Sequence, residues 1–324
     1  MPMPTTRTII ADGFAPEARA LRAVFDDKFA EPRSTRRDRF VWDYWHVPGQ
    51  YTALRTPAWE YFPKDLYESF HTRLVLWGRE HLGCHDVSPP WLSLYVDGCG
   101  QDLHGDLPHG PFAFVFSLTD WSRRRFTGGE TLIAKDRTLD YWDAFRSTRS
   151  VERKDLFDAV PHRFNRLTVF DGRLPHGVRT ILGGRDPRDG RLVINGWFVQ
   201  PRPFIEGPVP TSAVASAIER VDARVAAITS AYAPLAGLLS LRLAIAPSGK
   251  VASVDVLCDT LRAPKAYARA QRRLTDEIVR TARELAFPKA KKPSRLTLPL
   301  VFARETDRPA APAEKSHKAG RVRS

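Results

Sequence analysis

Hydrophobic positions recur along this chain with two different periods, and the change between them marks its organisation. Between residues 13 and 82 the period is helical. In APEARALRAVFDDKF (15–29), Ala18, Leu21, Val24 and Phe25 fall on one face, and KDLYESFHTRLVLWGREHLG (64–83) reads as a second amphipathic helix stopped by Gly83. From about residue 91 the period shortens. WLSLYV, FAFVFSLTDW, GGETLIA, NRLTVFDG, HGVRTILGG and RLVINGWFV are β-rich runs separated by Gly, Asp, Asn and Pro, the pattern of a sandwich or barrel.

PRPFIEGPVPTS (201–212) is a Pro-rich boundary. Beyond it Val214, Ile218, Val221, Val225, Ile228 and Tyr232 follow a 4-3-4-3-4 spacing, which predicts an amphipathic helix. Leu239, Leu241, Leu243 and Ile245 then alternate with more polar residues, PSGK makes a hairpin turn, and Val251–Leu257 returns as a second strand. A helix over 266–286, with Tyr267, Leu274, Ile278 and Leu285 on one face, and a strand RLTLPLVF (295–302) complete a small α+β unit. The expected division is 1–205, a linker with its helix over 206–236, the α+β unit over 237–303, and a Pro-, Ala- and Lys/Arg-rich tail over 304–324 expected to be disordered.

Length and composition narrow the class. A chain of 324 residues with 43% hydrophobic content has ample material for a core. No apolar run approaches the roughly 20 residues of a membrane span, and MPMPTTRTIIADGF lacks the apolar centre of a secretory signal, so a cytoplasmic protein without membrane association is expected. Cys84, Cys99 and Cys258 are odd in number and far apart, which suits reduced thiols. The net charge of +13 raises the question of nucleic acid. The arginines are scattered, with small clusters at Arg36–Arg37 and Arg123–Arg125, and no nucleic-acid module is recognisable, which argues against that partner.

Candidate chemistry centres on LHGDLPHG (103–110). In a chain with nine histidines a His-x-Asp tripeptide arises easily by chance, so its flanks carry the weight. If the segment begins in a strand, His104 and Asp106 share a face. A histidine from a distant strand would complete a two-His, one-carboxylate triad, the open cage of non-haem Fe(II) oxygenases. His176, after NRLTVFDGRLP and at the head of a new strand, is the preferred third ligand; His109 and His162 are the alternatives. Arg191 opens an apolar strand, where a guanidinium could grip a carboxylate bidentately, whereas Arg185 and Arg188 sit in a polar turn.

These pieces together resemble the 2-oxoglutarate/Fe(II)-dependent dioxygenase superfamily, prolyl 4-hydroxylase-like group. The resemblance covers residues 91–199 and rests on Tyr95 with its Gly-containing loop, His104-Gly105-Asp106, FVFSLTDW, FTGGETLI, NRLTVFDGRLPHGV and Arg191 before NGWF, in that order. It implies a mainly β double-stranded β-helix, a cupin-like jelly roll, with N-terminal support helices. It implies His104, Asp106 and His176 as Fe(II) ligands and Arg191 as the anchor for 2-oxoglutarate, assisted by Tyr95 and Thr131. The long loop GGRDPRDG keeps Arg188 open as the alternative anchor. By the same resemblance 2-oxoglutarate and O₂ are cosubstrates, ascorbate is a candidate reductant, and an unactivated C–H bond is hydroxylated as 2-oxoglutarate becomes succinate.

The substrate is left open between a protein side chain such as proline and a small molecule, because relatives sharing a fold change substrate freely. The segments 31–62 and 135–163, with Trp42, Tyr44, Trp45, Trp142 and Arg146, could line an entrance or simply pack the core. The alternatives to this hydroxylase are a non-catalytic jelly-roll interaction module and an oxygenase acting on nucleic acid. Residues 237–302 resemble the C-terminal domain of TonB-type energy transducers, through strand, Gly turn, strand, helix, Phe-Pro and final strand. Such a module could pair with a partner, self-associate, or serve as a structural appendage.

Overall fold

The structure is a computed structural model that describes residues 8–40, 42–107, 109–135, 138, 152–229, 235–263 and 267–302. Trp142, Arg146, Tyr232 and the segment 304–324 lie outside the described residues. Two antiparallel sheets carry the chain. The first holds β1 (Thr8–Asp12), β2 (Asp43–Val47), β3 (Tyr51–Pro57), β4 (Cys84–Val87), β5 (Trp91–Tyr95), β6 (Gly100–His104), β7 (Phe112–Ser117), β8 (Thr131–Ala134), β9 (Phe157–Val160), β10 (Arg166–Asp171), β11 (His176–Val178) and β12 (Arg191–Pro201). The second holds β13 (Phe204–Glu206), β14 (Gly237–Ile245), β15 (Val251–Asp259) and β16 (Ser294–Phe302). The helices are α1 (Ala18–Lys28), α2 (Ala58–Tyr61), α3 (Lys64–His81), α4 (Arg153–Leu156), α5 (Thr211–Thr229) and α6 (Ala268–Arg283). No described helix is long and apolar enough to cross a membrane.

The first sheet runs β1-β10-β7-β12-β5-β3-β6-β11-β8-β9, with β2 beside β3 and β4 beside β12. Between β5 and β12 the chain repeatedly crosses from the stretch β10-β7-β12-β5 to the stretch β6-β11-β8-β9. Strand β3 bridges the two stretches, pairing with β5 through Leu54–Pro57 and with β6 through Tyr51–Gln101 and Thr52–Gly100. The two stretches share one core: Ala113, Val115, Phe170 and Val193 from the first pack with Ile133, Val160 and Val178 from the second. The sheet therefore curls so that its two ends face each other.

Its outer face is covered by α1 and α3. Leu21 and Phe25 of α1 and Phe70 and Leu74 of α3 are fully buried with Leu92, Phe114, Phe116, Leu167 and Ile194. For α1 this matches the face read from the 3.6-residue period, with Ala18, Leu21 and Phe25 buried. Burying such side chains contributes about 1.5–3 kcal/mol each. Gly78 lets α3 approach β12, since a Cβ there would lie 2.6 Å from the Phe198 ring. Glu17 joins α1 to α3 by accepting from Ser69 Oγ and Arg73. Its hydrogen bond with Arg73 outweighs burial and holds the carboxyl at about 2.

The second sheet is ordered β13-β16-β14-β15. Leu239, Leu241, Leu243, Leu296, Leu298 and Leu300 pack against Val214, Ala217 and Val221 of α5 and Leu274, Ile278 and Ala282 of α6. Other residues of the sheet meet the first core, with Leu238 and Cys258 buried there beside Cys84. Ser240 Oγ donates to the Leu82 carbonyl at 2.6 Å, and Arg242 donates to the Glu80 carbonyl. Gly83 ends α3 at φ +74°, and a Cβ there would sit 2.9 Å from Ser240 Oγ. The three cysteines are buried free thiols.

Several strands depart from the sequence pattern, among them β2, β3 and β13. The hairpin β2–β3 lies in the region read as helical support; its turn carries Gly49 at φ +70°, and Gln50 N donates to Val47 O. Its alternation is short and built of aromatic and polar residues, so the neighbouring helices dominate the signal. The Pro-rich boundary contains β13, whose Phe204, Ile205 and Glu206 pair with Thr297, Leu296 and Arg295 of β16. That pairing spans some ninety residues of sequence and leaves no local periodicity.

Candidate metal and carboxylate site

His104 ends β6, and His176 begins β11 directly opposite it in the antiparallel register. Opposed residues of a ladder leave the sheet on the same face. Their ring centroids are 4.3 Å apart. Gly177 makes this pairing possible, because a Cβ there would lie 2.6 Å from the Gln101 carbonyl. Asp106 lies two residues beyond the end of β6, so strand alternation alone does not place it. Its backbone N–H donates to the Gly172 carbonyl at 2.7 Å, tying it to the turn that leads to His176.

The ligand atoms of His104, Asp106 and His176 all lie within 4.8 Å of one another. His176 Nε2 is 3.1 Å from Asp106 Oδ2, and His104 Nε2 is 3.4 Å from Oδ1. Each imidazole has its Nδ1 at a main-chain carbonyl, Leu174 O at 2.8 Å for His176 and Asp102 O at 2.9 Å for His104. Donation there leaves each Nε2 on the Asp106 side, where it would turn its lone pair to a bound metal, the arrangement metal-binding histidines use. Gln101 Nε2 stands 3.0 Å from His104 Nε2. Trp197 Nε1 donates to Asp106 Oδ2 at 2.8 Å. Burial pushes the Asp106 carboxyl up, but hydrogen bonds with His104, His176 and Trp197 outweigh it and hold the group well below the usual carboxylate range. Burial works against the His104 imidazolium, yet its bonds to Asp106 and the Asp102 carbonyl raise it above the ordinary value.

Arg191 lines the same pocket as the three ligand residues. It is 1% exposed at the start of β12, opposite Tyr95 in the β5–β12 register, with its guanidinium 4.5 Å from the centroid of the Tyr95 ring. Arg191 Nη2 donates to His162 Nε2 at 3.0 Å and lies 3.4 Å from Thr131 Oγ1; Thr131 Oγ1 is 2.7 Å from the same His162 nitrogen. Arg191 Nε and Nη1 are buried without a partner. Burial lowers the Arg191 pKa, and Tyr95 works against that shift. A buried guanidinium with unsatisfied N–H groups is costly in an apolar interior and is tolerated where an anion completes it.

The sequence reading thus converges on one place: His104, Asp106, His176, Arg191, Tyr95 and Thr131 all line this pocket. The alternatives fall elsewhere. Arg188 is on an exposed turn, paired with Asp186 at 2.8 Å. His109 stacks on Trp197 at 4.4 Å and is outside the ligand cluster. His162 is fully buried behind Arg191; burial first, then Arg191 and Arg166, push its pKa far below the ordinary imidazole value. It is a neutral acceptor for Arg191. Sequence reasoning missed this partnership, along with the Trp197–Asp106 bond and the pocket position of Arg55. Only Trp197 had a visible signal: two-residue alternation along RLVINGW puts it on the Arg191 face.

No family model matches the chain, and no curated protein matches its sequence. Among solved structures it is similar to a prolyl-4-hydroxylase of Pseudomonas putida (19% identity, covering 60% of this chain and 94% of that one, TM-score 0.42). It is also similar to AviO1 of Streptomyces viridochromogenes Tue57 (18%, 64% and 94%, TM-score 0.39). A third is HygX of Streptomyces hygroscopicus with nickel and 2-oxoglutarate bound (14%, 59% and 82%, TM-score 0.39). These likenesses are loose, and the reading of the site rests on its own residues.

Proposed function

We propose that the protein is an Fe(II)- and 2-oxoglutarate-dependent dioxygenase that hydroxylates an unactivated C–H bond. The observation that carries this reading is the pairing, in one pocket, of two imidazoles and a carboxylate with a fully buried guanidinium that has free N–H groups. Three mixed N/O ligands leave coordination positions open, as non-haem Fe(II) chemistry requires. The guanidinium supplies a bidentate place for a carboxylate at the inner end. The alternation of β5–β12 between two facing stretches is the course of a double-stranded β-helix, and residues 1–205 are read as that unit.

Within this reading His104, Asp106 and His176 hold the iron, with Nδ1 bonds fixing the imidazoles and Trp197 fixing the carboxylate. Arg191 binds the distal carboxylate of 2-oxoglutarate, with Tyr95 beneath the guanidinium and Thr131 at its edge. His162 orients Arg191 by accepting from Nη2, and as a neutral group it leaves the guanidinium charge to the cosubstrate. When bound, iron and 2-oxoglutarate supply the oxidation: O₂ gives one oxygen atom to succinate and one to the substrate C–H bond, with release of CO₂. The buried walls formed by Phe170, Val178 and Val193 keep water from the centre and orient the reactants. The module over 237–303 is read as a brace. Arg173, held to Asp171, also donates to the Thr260 carbonyl at 2.6 Å and so ties the turn before His176 to the end of β15.

Anaerobic addition of Fe(II) and 2-oxoglutarate to apo-protein tests this. A weak visible charge-transfer band is expected in the wild type, absent in His104→Ala and weakened in Arg191→Ala. Metal-loaded, folded wild type without the band would refute the assignment.

A further inference from the structure

A second guanidinium faces the same pocket, and the chemistry so far does not use it. Arg55 lies on β3, opposite Ser93 of β5, whose hydroxyl donates to Asn195 Oδ1 at 2.7 Å. Its guanidinium is walled by three rings, Trp45 at 5.2 Å, Tyr51 at 5.4 Å and Trp91 at 6.0 Å from their centroids. Aromatic faces hold a guanidinium in place while leaving its N–H edge for a planar anion. Arg55 Nε is buried without a hydrogen-bond partner. Asp43, its neighbour across the β2–β3 register, is exposed and makes no ion pair with it.

Charge balance gives this position a meaning. Among the described residues, the charged side chains lining the pocket, besides the histidines, are Arg55, Arg191 and Asp106. Under the proposed reading, Fe(II) and 2-oxoglutarate neutralise each other and Arg191 offsets Asp106. One positive charge remains, on Arg55. We infer that the substrate carries a carboxylate, bound bidentately by Arg55 within the clamp of Trp45, Tyr51 and Trp91, and that the oxidised carbon lies close to that group. This inference rests on the oxygenase reading. It makes Arg55 the specificity residue and selects acids over their neutral analogues.

The test uses the full chain as its anaerobic Fe(II)–2-oxoglutarate complex, titrated calorimetrically with N-acetyl amino acids, the matching N-acetyl amino-acid amides, and inorganic phosphate. We expect at least one acid to bind more than about tenfold tighter than its amide, as loss of a charge-assisted pair predicts. Arg55→Gln is expected to erase that preference, and Arg55→Lys to keep part of it. The 2-oxoglutarate affinity of both variants, read from the charge-transfer band, should stay within about twofold of wild type; the band also shows that they fold. Equal binding of acids and amides, no binding by any acid, or phosphate outcompeting every acid overturns the inference. So does a fall in 2-oxoglutarate affinity in Arg55→Gln, since the carboxylate held by Arg55 is then the cosubstrate's own. Absence of the band in wild type, seen before any acid is added, refutes the oxygenase reading and this inference with it. A normal band with failed acid discrimination refutes this inference alone.

Discussion

The two sheets bury different things. The second encloses an apolar core of leucines against α5 and α6, and among the described residues its buried polar side chains are the small hydroxyls Ser240, Thr260, Ser294 and Thr297. The first buries Arg191, His162, Asp106 and His176 between its facing stretches. Both are antiparallel sheets with helical cover, so the difference is one of purpose. An apolar interior repays its ordering entropy through burial alone. A buried charge with unfilled bonds is paid for by the rest of the fold and is kept where a ligand completes it. Under the proposed reading the polar stretch of the first sheet marks the site, and the second sheet is its support.

The sharpest way to break this comparison is Arg191→Leu. The variant should lose 2-oxoglutarate binding by about 100-fold or more while its unfolding free energy stays level or rises by up to about 4 kcal/mol, because an unsatisfied buried charge is replaced by an apolar side chain. Paired absorbance titration and urea unfolding read both effects, and a strongly destabilised variant would mean the charge is structural. Leu241→Ala in the second core should do the reverse. It should cost about 2–5 kcal/mol in urea and leave 2-oxoglutarate affinity unchanged. Arg173→Ala probes the link between the sheets: freeing the turn before His176 should weaken Fe(II) binding by roughly tenfold, as losses around metal ligands do. Unchanged metal affinity would show that the brace does not reach the site.

The smallest effect is a pH dependence. His162 is held far below its ordinary pKa by burial and by Arg191 and Arg166, so a proton on it favours the unfolded chain. Its contribution to stability is full above about pH 6.5, where the unfolded imidazole is neutral, and is lost as pH falls below that toward the folded value. Urea midpoints measured from pH 7.5 to 5.5 should fall in the wild type and fall less in His162→Leu. The same variant should weaken 2-oxoglutarate binding about tenfold, and His162→Gln, which keeps an acceptor, should weaken it less.

Much of this was legible in the chain. The periods over 15–29, 64–83 and 238–257 placed helices and strands, because each is a local pattern whose faces repeat every 3.6 or two residues. His104-Gly105-Asp106, His176 and Arg191 could be chosen because each sits beside a strand signal. The hairpin β2–β3 was hidden between two strong helices, and with it the arginine clamp. Trp45 was singled out for the entrance without a sign that Arg55 stood beside it. His162 read as a rival metal ligand, although its Nε2 accepts from Arg191.

The sequence by itself determined the elements, the apolar faces and the identity of the ligand-type residues, since these depend on neighbours within a few turns or one strand. Tertiary structure alone decided which of them meet. Loops outside the strands bring Asp106 to Trp197 and His162 to Arg191, while the opposition of His104 to His176 and the places of Arg55, Trp197 and Arg191 on the pocket face come from strand register. Register is set by packing between segments tens of residues apart, and a shift of one residue would turn each of these side chains to the other face.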